Sequence, residues 1–123
     1  MKTSWIITIV ASVAIIGGMI WYSSQPGKYD EFAACIKDSG ATFFGAFWCP
    51  HCQEQKSLFG RSARELPYTE CSTPDGRGQL EHCIDEGIET YPTWESKDGE
   101  RRTGVLSLAD LAEFTGCQLS SDQ

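Results

Sequence analysis

The chain opens on one unbroken apolar stretch and then changes to short alternating patterns. From Ser4 to Tyr22 nineteen residues carry no charge, with Lys2 before them and the polar run Ser23 to Lys28 after. At about 1.5 Å per helical residue, such a stretch covers roughly the 30 Å of a hydrocarbon core. Trp5, Trp21 and Tyr22 mark its two ends, where amphipathic rings prefer the interface. A cleaved secretory signal has a shorter apolar region and a small-x-small cleavage site, so the pattern favours an uncleaved anchor over a signal or a buried helix.

Beyond a linker of Ser, Gln, Pro and Gly, the periodicity predicts a helix over Asp30 to Ser39. Asp30 is its expected N-cap, Phe32, Cys35 and Ile36 its apolar face, and Gly40 its terminator. The apolar run Ala41 to Phe47 reads as a buried strand. Pro50 suits a first helical turn, and Leu58, Phe59 and Ala63 extend that helix to about Glu65. Pro67 to Glu70 is a second strand, Ser72 to Gly78 a polar loop, and Gln79 to Glu86 a helix closed by Gly87. Tyr91 to Ser96 and Arg101 to Gly104 form a hairpin about Lys97-Asp98-Gly99, and Ser107 with Asp110 caps a last helix through Phe114. This order predicts an α/β fold, a small central sheet flanked by helices. The expected organisation is an anchor over 1–23, a linker over 24–29, one domain over 30–118 and a flexible tail over 119–123, with no internal repeat.

Composition narrows the function. The formal charge is −7, and setting aside Lys2, the one charged side chain before Ser24, leaves the remainder more acidic still. Nucleic-acid affinity depends on Lys and Arg displacing counterions, so a nucleic-acid partner is excluded. Six cysteines in about 95 post-anchor residues are a heavy load for a reducing cytosol. The domain is therefore expected on the periplasmic or exterior side, a direction that Lys2 and the initiator amine favour and Lys28 opposes.

The chemistry is concentrated in Cys49-Pro50-His51-Cys52, which follows a predicted strand and opens a predicted helix. There the first sulfur meets the positive end of the helix dipole and unpaired backbone amides, both favouring thiolate. Cys49 is thus the candidate nucleophile and Cys52 the resolving thiol. His51 is expected to add hydrogen bonding or positive charge near Cys49, tilting the pair toward an oxidising poise. The competing readings are a structural bridge or half a zinc site. Zinc would need a second close Cys or His pair, and Cys71 and Cys83 stand too far apart for a knuckle. No metal and no cofactor are expected. His82 reads as a solvated helix residue, Phe44 and Trp94 as core, and Trp48 as an exposed aromatic beside the motif.

Phe47-Trp48-Cys49-Pro50-His51-Cys52, followed about forty residues later by Gly87 through Thr93 and then by Arg102 through Leu111, resembles the thioredoxin superfamily over nearly all of the soluble part. More narrowly, Gly45 through Lys56, Leu58-Phe59-Gly60, Pro67 through Cys71 and Tyr91-Pro92-Thr93-Trp94 are similar to the thioredoxin-like domain attached to bacterial and plant homologues of vitamin K epoxide reductase. In that family the domain passes electrons from substrate thiols to a quinone-reducing membrane protein. With one apolar span here, the resemblance implies that such a protein would be a separate partner, alongside protein thiol or disulfide substrates. It also implies a cis Pro92 beside Cys49, with Pro50, Tyr91 and Pro92 meeting the substrate, to which the exposed Trp48 adds an aromatic contact. The chain departs from the pattern in leading from its linker directly into the helix Asp30 to Ser39, without thioredoxin's first strand, which leaves about four strands.

Phe43 occupies the position where thioredoxin carries a buried acid, so a carboxylate base for Cys52 is not expected. A bridge between Cys71 and Cys83 would pin the intervening loop, and the resemblance supports it as structural. Cys35 and Cys117 stay open between two readings: Cys35 as a small buried residue, or a bridge if their Cα atoms come within about 7 Å. Two functional classes follow. One is a thiol-disulfide oxidoreductase, oxidising in preference to a reductase of the cytochrome-maturation type; the other is a non-enzymatic metal carrier or adaptor.

Overall fold

The computed structural model describes residues 1–119. The apolar stretch forms α1, Lys2–Ser23, which is exposed along its whole length and is long and apolar enough to cross a membrane. A six-residue connection leads to α2, Asp30–Asp38. Asp30 is not the N-cap. Tyr29 holds that position, and the Asp30 carboxylate turns back to accept from the Gly27 amide at 2.9 Å, because the connection folds tightly against the helix start.

Arg64 holds this junction from the other side. Its guanidinium donates to the carbonyls of Ser23 (3.2 Å) and Gln25 (3.1 Å), while Arg61 lies over the Tyr22 ring at 4.3 Å. The end of α1 and the domain are thus joined by side chains as well as by chain.

Four strands make one mixed sheet in the order β2-β1-β3-β4: β1 Thr42–Gly45, β2 Tyr68–Glu70, β3 Thr93–Glu95 and β4 Arg101–Thr103. β1 runs parallel to β2 and antiparallel to β3, and β3 pairs antiparallel with β4. Helices flank the sheet, giving a thioredoxin-like fold. The register sets Phe43 beside both Tyr68 and Trp94, so its ring stacks on Trp94 at 4.7 Å and meets Tyr68 edge-on at 5.1 Å. Successive strand residues face opposite sides. Phe43 therefore joins the main core with Phe32, Ile36, Phe59 and Leu111, while Phe44 joins a smaller one with Cys71, Cys83 and Ile88.

The helix expected from Pro50 to Glu65 is instead two pieces. α3 covers Pro50–Ser57, and a 3-10 segment covers Gly60–Glu65. Gly60 has φ +54°, a left-handed conformation that breaks an α-helix and that glycine adopts at little cost. The break turns Phe59 inward onto Phe32, with ring centroids 5.9 Å apart, and buries Ser62, whose hydroxyl accepts from the Tyr29 amide. α4 is shorter than expected, Glu81–Asp85, since Gln79 pairs as an isolated bridge with Ser72. α5, Leu108–Thr115, opens as expected, with the Ser107 hydroxyl accepting from the Asp110 amide at 3.0 Å.

Cys35 is exposed rather than buried, and it is bonded to Cys117, with Cα atoms 5.9 Å apart. It lies at the edge of the α2 apolar face, where the sulfur can reach the chain just past α5. Leu119, expected in a flexible tail, packs against the main core; the rest of that tail lies outside the described residues.

Candidate active site

Cys49 occupies the N-cap of α3 and Pro50 its first turn, where the missing amide of proline costs no hydrogen bond. Cys49 and Cys52 are free thiols, and the other four cysteines are paired, Cys71 with Cys83 at a Cα separation of 5.6 Å. The Cys49 sulfur lies 3.7 Å from the Tyr91 carbonyl oxygen, and the Tyr91–Pro92 peptide is cis. Trp48, Cys49, Tyr91 and Pro92, distant in sequence, thus form one place. Trp48 and Phe47 are each 48% exposed, and Trp48 meets Tyr91 edge-on at 6.0 Å.

A groove of about 450 Å³ runs from Trp48 and Tyr91 along Gly76, Gly78, Gln79 and Ile88. Its walls are hydrogen-bonded into position. Trp48 Nε1 donates to the Ser72 hydroxyl at 2.9 Å, and Gln79 Nε2 donates to the Tyr91 hydroxyl (2.9 Å) and the Ile88 carbonyl (2.7 Å). Glu70 Oε2 accepts from the amides of Phe47, Cys71 and Ser72, binding the approach to the CxxC motif to the start of the disulfide-closed loop. The Cys71–Cys83 bridge therefore shapes the ground beside Cys49 as well as closing a loop.

His51 points outward. Its side chain is 70% exposed, with Nδ1 3.7 Å from the Glu54 carboxylate one turn on. His82 is exposed as expected, its ring nitrogen 2.9 Å from the Glu70 carbonyl. Among the described residues no cluster of three or more His, Cys, Asp or Glu is arranged to hold a metal.

Cys52 is fully buried, and burial pushes its thiol up to about 12, with hydrogen bonding at Ala46 and the charge of Lys56 pulling the other way. A Cβ on Gly45 would stand 2.9 Å from the Cys52 sulfur and 2.9 Å from Cε2 of Tyr68. Glycine at this point of β1 leaves the gap that sulfur and ring share.

Gln55 escaped the sequence reading. It is fully buried in α3; its Oε1 accepts from Trp94 Nε1 (3.1 Å) and the Leu106 amide (2.8 Å), and its Nε2 donates to the Leu106 carbonyl (2.9 Å). A polar residue on an otherwise polar helix carries no sequence signal of burial. Gln55→Leu fills similar volume but strands two buried donors and an acceptor. It is expected to cost about 3 kcal/mol, read as a lowered urea midpoint; an unchanged midpoint would deny Gln55 this bracing role.

No protein-family model matches the chain. Among curated proteins, the thiol-disulfide oxidoreductase LTO1 of Arabidopsis thaliana is 49% identical over 103 residues, covering 79% of this chain and 27% of the relative. The chain thus spans about a quarter of that relative's length.

Proposed function

Starting from a thioredoxin-like redox domain homologous to part of a thiol-disulfide oxidoreductase, we propose that this chain itself exchanges disulfides with protein thiols through Cys49 and Cys52. The observation that carries the reading is the division of the six cysteines. Four are bonded, and the two free ones are the CxxC pair at the start of α3, beside the cis Tyr91–Pro92 peptide.

In the oxidising direction a substrate thiolate attacks the Cys49 sulfur of the Cys49–Cys52 disulfide, and Cys52 leaves as thiolate and takes up a proton. A second substrate thiolate then attacks the substrate sulfur of the mixed disulfide. The substrate disulfide forms, Cys49 is released, and two electrons rest on the domain's dithiol. An extended substrate segment lies in the groove between Trp48 and Tyr91, with the Tyr91 backbone available to pair with it and the exposed Pro50 next to Cys49. His51, exposed beside the motif, contributes positive charge near the reacting sulfurs when protonated.

α1 anchors the domain to a membrane, and the load of disulfides favours the extracytoplasmic side. Reoxidation then requires an electron acceptor. The resemblance to domains attached to vitamin K epoxide reductase homologues points to a quinone-reducing membrane protein in that part.

The test is Cys52→Ala, which leaves Cys49 able to form a mixed disulfide but unable to resolve it. Expressed in its native membrane, the variant is expected to accumulate dithiothreitol-sensitive adducts through Cys49, among them exported proteins and a quinone-reducing membrane protein. An absence of adducts would end the exchange reading. A reduction potential near thioredoxin's, about −270 mV, would reverse the direction to that of a reductase.

A further inference from the structure

The exchange reading leaves one chemical need unmet by the residues so far assigned. Cys52 must be thiolate whenever it resolves a mixed disulfide, and it departs as thiolate whenever Cys49 is attacked. Cys52 is fully buried, and the sequence position at which the thioredoxin resemblance would put a buried acid is Phe43, itself fully buried between Trp94 and Tyr68.

The charged and titratable groups around Cys52 are few. From its own helix come Cys49 and Lys56; from β2 come Tyr68 and Glu70; His51 turns outward to Glu54. Glu70 is committed to three backbone amides. It is moreover negative, and so opposes a thiolate. Burial, and after it the charge of Glu70, pushes the Tyr68 phenol above its usual range, which keeps it neutral. Lys56 is the one cation in this set. It follows Cys52 by four residues on α3, the spacing that puts two side chains on one helical face. Its ammonium lies over the Tyr68 ring, 3.6 Å from the centroid. The same ring borders the space beside Gly45 that the Cys52 sulfur also borders. The Tyr68 hydroxyl is buried near Glu70, and its ring packs edge-on against Phe43 on one side and carries the Lys56 ammonium on its face.

We propose that Lys56, seated on the Tyr68 ring, is the positioning charge that serves Cys52 in place of a buried carboxylate, offsetting the negative charge on its sulfur during exchange. The inference rests on the exchange reading above. In the resolving direction, Cys52 S–H loses its proton to solvent and the thiolate attacks Cys49 Sγ of the mixed disulfide. The Cys49–Cys52 bond forms, and the partner's sulfur leaves with the electron pair of the broken bond. In the oxidising direction the same steps run backwards, and the ammonium stabilises the departing Cys52 thiolate. One cation helps both directions because it acts on the species they share.

The experiment uses the full chain in detergent, with Cys49 and Cys52 selectively reduced, mixed with 5,5′-dithiobis(2-nitrobenzoate) in a stopped-flow instrument. Attack by Cys49 releases one coloured thiolate at a rate that depends on reagent concentration. Attack by Cys52 on the resulting adduct releases the second at a rate that does not. The second rate is expected to rise with pH. In Lys56→Met its rise should move about one unit or more higher, so that release at pH 7 slows about tenfold. Lys56→Arg, which keeps the charge, should recover most of the rate. A Lys56→Met profile that overlays the original, or a Lys56→Arg variant as slow as Lys56→Met, would overturn the role of the charge. Absence of the first release from the unmodified chain would instead mean that the exchange reading itself has failed.

Discussion

Replacing Cys49 by Ala is expected to bring catalysed disulfide exchange down to the uncatalysed background, a loss on the order of a thousandfold or more. The size follows from where the second sulfur sits. Cys52 is 0% exposed, whereas Cys49, though largely buried, keeps 5% of its surface open beside the Tyr91 carbonyl, so Cys52 is the sulfur without a path to a substrate disulfide. The four remaining sulfurs are held in two bridges and offer no free thiolate. The measurement is the rate at which a reduced, unfolded model protein regains its disulfides in the presence of the oxidised domain. A Cys49→Ala variant keeping more than a tenth of the activity would mean that the reacting thiol is elsewhere.

Removing the Cys35–Cys117 bridge should produce the largest loss of stability. It joins α2 to the chain just past α5 across a sequence separation of 82, against 12 for Cys71–Cys83. In the chain-entropy description the long closure contributes about 4.5 kcal/mol and the short one about 3 kcal/mol. Against a usual domain stability of about 5–15 kcal/mol, the first is a large share. Urea unfolding of Cys35→Ala/Cys117→Ala and of Cys71→Ala/Cys83→Ala, each with Cys49 and Cys52 in the same redox state, ranks the two. An equal or smaller drop for the long closure would show that the unbridged chain already keeps these ends together. The short bridge should instead affect the groove, because the loop it closes carries Ser72 and Gln79, which hold Trp48 and Tyr91.

Much of the fold was legible from local pattern. The apolar stretch, the strand before the motif, the hairpin and the Ser107 cap each depend on neighbours within one turn or one strand, and sequence displays neighbours directly. What escaped depended on distance. Nothing near Leu58 announces that Gly60 will take a positive φ and split the helix, because Gly60 is tolerated in a helix and Leu58, Phe59 and Ala63 do fit helical spacing. Cys35 shares helical spacing with Phe32 and Ile36, yet the stripe is narrow enough to leave its sulfur at the edge, exposed. In the candidate site, the placement of Cys49 and Cys52 at a helix start was legible because it follows from a four-residue spacing and the proline within it. Gln55, Gly45 and the Lys56–Tyr68 pair were not. Each owes its part to a contact between elements distant in sequence, and the residue types involved are ordinary on a helix surface or in a strand.

The junction between α1 and the domain also governs whom the site can meet. Only six residues separate the end of α1 from the start of α2, and Arg64 holds both Ser23 and Gln25. Even with that clasp open, six extended residues reach about 20 Å. With α1 in a bilayer, the domain patrols a thin layer at the membrane face rather than the volume beyond it. If the proposed acceptor sits in the same bilayer, it shares that layer with the domain, while a freely diffusing substrate must come to the surface. Recharging the dithiol would then be a search in two dimensions and substrate capture one in three, and the short leash favours the recharging step.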